Sequence, residues 1–94
     1  MDCSHPEGNN GCKGGIMEAG FKYFLSNGGI GSEQDYNYTA KDGVCWTAAE
    51  KRVVAMVHNF TDVAHKNEVQ MQAAIMQNPV SIAIEADHPY FQHY

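Results

Sequence analysis

Apolar residues Ile16, Ala19, Tyr23 and Phe24, with small Gly20 among them, recur every three or four positions across residues 15–25. That is the period of a helix with one buried face. Asn27-Gly28-Gly29 follows it as a helix stop. Residues 30–47 show little periodicity and carry turn pairs at Gly31-Ser32 and Asp42-Gly43, so they predict irregular structure. The β-branched run Val53-Val54-Ala55-Met56-Val57 predicts a strand, with residues 60–63 as its continuation or a crossover. Asn67 with Gln70 three positions later is a capping-box signature ahead of Val69, Ala73 and Met76 on one helical face, and Asn78-Pro79 ends that helix. Beyond it Val80, Ile82 and Ile84 alternate with Ser81, Ala83 and Glu85, which predicts a strand with a core face and an opposite face of small residues able to floor a pocket.

Composition narrows the function. Ninety-four residues, 44% of them hydrophobic, supply the core of one small globular unit. A net charge of -5 lacks the basic stripe that phosphate backbones require, which argues against nucleic acid. No apolar run reaches the eighteen or so residues that span a bilayer, and no basic-then-apolar leader opens the sequence, so no membrane partner is expected. Three cysteines are an odd number; in an oxidising compartment one is left over or paired elsewhere. The sequons Asn37-Tyr38-Thr39 and Asn59-Phe60-Thr61 are compatible with a secretory route.

The most distinctive stretch is Gly11-Cys12-Lys13-Gly14-Gly15, a few residues after Asp2-Cys3-Ser4. Glycine admits positive φ and close backbone approach, so Gly14 and Gly15 can offer main-chain groups to an extended peptide lying alongside. On these residues alone a disulfide-stapled turn before a helix is the favoured reading, by roughly two to one. A zinc module built on Cys3, His5, Cys12 and Cys45 is a third, but the sequence lacks the usual Cys-x-x-Cys pairs.

The order of motifs is more specific than any one of them. Asp2-Cys3-Ser4, residues 8–17, Asn27-Gly28-Gly29-Ile30, residues 36–38, Asp42-Gly43-Val44-Cys45, Asn78-Pro79-Val80-Ser81 and Phe91-Gln92-His93-Tyr94 together resemble the papain family of cysteine proteases, in its cathepsin L-like branch. The family's Tyr-Pro-Tyr is Tyr36-Asn37-Tyr38 here, a departure that loosens one loop. The resemblance implies an α+β, two-domain papain-like fold, seen in part. Residues 1–59 are then the later part of a helical, disulfide-linked left domain, and residues 60–94 the start of a β-rich right domain. It implies a Cys3 to Cys45 disulfide, with Cys12 paired to a cysteine outside this chain.

By the same resemblance the function is that of a cysteine endopeptidase, of which this chain is an interior fragment. The catalytic cysteine is expected upstream, and the catalytic histidine and asparagine downstream, so the chain alone is expected to be inactive. Cys45-Trp46 echoes the end of the nucleophile motif, but Asp42 stands where that motif needs another cysteine, so Cys45 reads as a disulfide position. His5, His58, His65, His88 and His93 lie outside the catalytic histidine context and read as surface or packing residues. The resemblance assigns substrate binding to Gly14 and Gly15 for the peptide backbone, and to Ile16, Met17 and Ala83 around the second specificity pocket. A flexible Met and a small Ala there suit a bulky apolar side chain. Expected partners are peptide or protein substrates, with a propeptide or cystatin-like inhibitor at the cleft; no cofactor and no metal are expected. The implied location is lysosomal, vacuolar or secreted. The competing expectation is a non-catalytic binding or inhibitory product that keeps one wall of the cleft.

Overall fold

The computed structural model describes residues 1–94, arranged as two compact units, Met1–Thr61 and Asp62–Tyr94. In the first unit α1 spans Met17–Asn27, β1 Ile30–Gly31, α2 Thr47–Glu50 and β2 Val53–Ala55. The second holds α3, Glu68–Ile75, and α4, Pro89–Gln92. The chain is thus α+β.

Helix α1 forms where the period places it, and it ends because Gly28 takes the left-handed conformation at φ 81°. Its Ala19 is fully buried, and Tyr23 and Phe24 are half-buried beside it. Phe21 stacks on Phe60, ring centroids 5.5 Å apart, which fixes the end of the unit onto the helix. Asn27 ties the helix end to its surroundings by donating from Nδ2 to the carbonyls of Gly29 and Glu50, both at 3.1 Å. Strand β2 occupies the first three positions of the expected run 53–57 and pairs antiparallel with β1, Ile30 opposite Ala55 and Gly31 opposite Val53, with an irregularity between. The ladder stops early because β1 offers only two residues.

Helix α2 went unanticipated, although Thr47-x-x-Glu50 is itself a capping-box spelling. Its Ala49 is buried. Loop residues 32–46 are held by polar contacts more than by apolar packing. The Cys3–Cys45 disulfide closes a 42-residue separation, and the Tyr36 hydroxyl sits 4.0 Å from Cys3 Sγ. Closing a loop of that length contributes about 4 kcal/mol in the chain-entropy account.

In the second unit Asn67 caps α3 as its spelling predicts, Oδ1 accepting the Gln70 N–H at 2.9 Å. The reciprocal half of the box differs: Gln70 Oε1 accepts from the Ala64 N–H at 3.1 Å, because the chain before Asn67 turns back over it. Two expectations are corrected here. Val69, Ala73 and Met76, expected on one helical face, are all exposed, and no residue of this unit is buried. Residues 80–85 form no strand, nor do residues 60–63. The reason is shared: alternation and helical period prepare a face for burial, but a strand exists only when a neighbouring strand takes its N–H and C=O groups, and the sheet holds β1 and β2 alone. Helix α4 was also missed; Pro89 at its first turn and His88 Nδ1 accepting from the Tyr90 N–H mark its start.

Candidate peptide-binding edge

The stretch from Asp2 to Ile16 is folded by side chains that bond to backbone. A short 3₁₀ turn, Gly11–Lys13, is closed by Lys13 N–H to Asn10 C=O at 3.0 Å, and the Asn10 N–H returns to the Gly14 carbonyl at 2.8 Å. Asp42 reaches across from the far loop, Oδ1 accepting the Cys12 N–H at 2.6 Å. That bond holds the Asp42 carboxyl below the usual carboxylate range. Asp2 holds the residue next to Asp42, Oδ1 accepting the Gly43 N–H at 3.0 Å.

Asn9 is the centre of the stretch. Its Oδ1 accepts the Ile16 N–H at 2.9 Å, and its Nδ2 donates to Ser4 Oγ at 2.9 Å, Ser4 being buried. The His5 ring donates from Nδ1 to the Asn9 carbonyl at 2.9 Å. A Cβ on Gly15 would stand 2.1 Å from Asn9 Oδ1, so only glycine lets this side chain come so close. Gly14, at φ 108°, needs glycine for the other reason, its backbone conformation.

The two glycines differ in what they leave available. Gly14 uses its N–H toward the Gly11 carbonyl and its C=O toward Asn10. Gly15 is exposed, and neither its N–H nor its C=O enters a hydrogen bond within the chain. A free donor and a free acceptor on one exposed residue are what one residue of an added strand pairs with. Ile16 and Met17 follow directly, 61% and 40% exposed, and form an apolar shoulder beside that edge. Ala83 lies in the second unit and is exposed.

The cysteines carry no activated nucleophile. Cys3 and Cys45 are joined, which takes both out of any thiolate or zinc-ligand set. Cys12 is a free, exposed thiol whose pKa is raised, by local desolvation first and then by the Asp42 carboxylate, the opposite of what a nucleophilic cysteine needs. A cavity of about 390 Å³ in the first unit is lined by Cys3, Ser4, Tyr23, Phe24, Tyr36 and Glu50 among others, with no histidine. It is held by the Tyr23 hydroxyl donating to Glu50 Oε2 at 2.5 Å. His58 and His65 are exposed, and His88 caps a helix.

The sequence pattern pointed to Gly14, Gly15, Ile16 and Met17 as candidates and did not indicate Asn9, Asp42 or Asp2 as the residues that support this stretch. The usable signal was the habit of Asn and Asp of bonding nearby backbone in glycine-rich turns.

The sequence profile described as papain family cysteine protease matches residues 1–94. Procathepsin L of Rattus norvegicus is 44% identical over 94 residues, covering all of this chain and 28% of that protein. Cathepsin L2 of Homo sapiens is 43% identical over 95 residues, again covering all of this chain and 28% of that protein. Cysteine protease 1 of Oryza sativa subsp. japonica is 42% identical over 94 residues, with 19% of its length covered. The chain therefore spans less than a third of the length of these relatives.

Proposed function

The chain belongs to the papain family of cysteine proteases, and from that premise we propose that it supplies one wall of the substrate cleft of a cathepsin L-like endopeptidase. The observation that carries this reading is Gly15, with its N–H and C=O both free and exposed beside Ile16 and Met17. A substrate peptide lies extended along Gly15 and exchanges main-chain bonds with it, while Ile16 and Met17 line the pocket for the residue two before the cleaved bond. Gly14 keeps the turn in register.

The catalytic cysteine, histidine and asparagine come from parts of the longer protein outside these 94 residues. There a thiolate poised by histidine attacks the scissile carbonyl, asparagine orients the histidine, and backbone donors hold the oxyanion. No residue of the second unit is buried, which supports a chain that packs against more protein. The disulfide favours an oxidising compartment, lysosomal, vacuolar or secretory. A propeptide or a cystatin-like inhibitor occupies the same edge as substrate.

The test is hydrolysis of a Phe-Arg fluorogenic peptide by the complete protein, under reducing and mildly acid conditions. Turnover abolished by a thiol-alkylating reagent, with none from the 94-residue chain alone, supports the reading. Peptide binding without turnover by the complete protein would instead indicate a non-catalytic cleft.

A further inference from the structure

We propose that Asn9 is a positioning residue for substrate binding, one that sets the direction of the Gly15 carbonyl. The proposal rests on the reading of Gly15 as a substrate-backbone contact and deepens it. The Gly15 carbonyl and the Ile16 N–H belong to one peptide unit. That unit is planar, and it is trans, as every peptide bond of the chain is. In a trans unit the C=O and N–H point in opposite directions, so fixing one fixes the other. Asn9 Oδ1 draws the Ile16 N–H inward at 2.9 Å, and the Gly15 carbonyl must then face away from Asn9, where it has no partner within the chain.

The Asn9 amide is itself held so that it cannot turn over without loss. Its Nδ2 bonds the hydroxyl of Ser4, which is 7% exposed, and its backbone N–H bonds the Ser4 carbonyl at 3.2 Å. Exchanging Oδ1 and Nδ2 would set an amide donor against the Ile16 N–H donor. Ile16 precedes α1 in extended conformation, φ -123° and ψ 149°, so its N–H has no helical partner to replace Asn9. Without the side chain the Gly15–Ile16 peptide is free to rotate, and the acceptor offered to substrate is no longer fixed.

The experiment uses the complete protein and two matched peptides. One has an ordinary amide at the residue two before the cleaved bond; the other is N-methylated there and cannot donate to the Gly15 carbonyl. Wild type is expected to lose about tenfold or more in kcat/KM on methylation, the equivalent of one hydrogen bond. In Asn9→Ala the unmethylated peptide loses a similar factor, and the methylation penalty shrinks toward unity. Asn9→Asp, which retains an acceptor for the Ile16 N–H, keeps the wild-type penalty. Ser4→Ala removes only the latch and lowers the penalty in part, which keeps the test available should Asn9→Ala not fold. A full methylation penalty in folded Asn9→Ala, or, should that variant not fold, an unchanged penalty in Ser4→Ala, overturns the proposal. Wild type that fails to cleave the unmethylated peptide overturns the proteolytic reading instead, a separate outcome.

Discussion

Tyr36 and Asp2, 34 residues apart, meet through a hydrogen bond of 2.9 Å from the Tyr36 hydroxyl to Asp2 Oδ2, and the same hydroxyl accepts the Trp46 N–H at 3.1 Å. With Asp2 Oδ1 on the Gly43 N–H, one tyrosine and one aspartate tie both ends of loop 36–46 to the chain just before Cys3. The disulfide and this pair clamp the same two segments. Tyr36→Phe is expected to cost roughly 1 kcal/mol, the usual net worth of a partly exposed bond to a carboxylate. Urea denaturation of wild type and variant measures it, and equal midpoints would remove Tyr36 from the clamp.

Cys45→Ser should cost much more. Removing a cross-link over 42 residues forfeits about 4 kcal/mol in the chain-entropy account, which for a small domain is most of its stability. Alkylation of the native, unreduced chain should label Cys12 alone, followed by mass spectrometry of the peptides. Labelling of Cys3 or Cys45 before reduction would contradict the pairing.

Asp42 links the loop to pH. Its folded pKa is lowered, chiefly by the Cys12 N–H bond, so its contribution is fully present above the unfolded carboxylate value near 3.9 and lost as pH falls through the folded one. Stability measured from pH 6 to pH 2 should fall less steeply in Asp42→Asn than in wild type. Identical slopes would show that the carboxylate does not hold the loop.

Tyr23 has the opposite sign. Its hydroxyl is half-buried and bonded to Glu50, and desolvation followed by that bond raises its pKa. The neutral form is favoured in the fold, so stability is complete below the unfolded value near 10 and declines as pH rises beyond it. Tyr23→Phe should flatten that alkaline decline, and a thermal melt series from pH 8 to pH 11 reads it directly.

Specificity of the complete protein should depend on Ala83. Leucine, phenylalanine or valine is expected two before the cleaved bond, and Ala83→Phe should shift preference toward small side chains by about 1 to 3 kcal/mol of discrimination, or 10- to 200-fold in kcat/KM ratio. An unchanged ratio would show that Ala83 does not touch the substrate.

Local chemistry was enough for some of this protein. Helix α1 and its stop at Gly28, the Asn67 cap of α3, and the β-branched start of β2 depend on period, propensity and side chains that bond within a few residues, and all three stand where the sequence puts them. The pairing of Cys3 with Cys45 came from family resemblance, because spacing alone leaves three cysteines with several options. The tertiary structure decided the rest, for one physical reason: an element or site that needs a partner distant in sequence cannot be read from its own residues. Residues 80–85 have a strand's alternation and no strand to pair with, so they form none. Gly14 and Gly15 are identical as letters; only the bonds made by Asn10, Gly11 and Asn9 engage the first and leave the second with its donor and acceptor free.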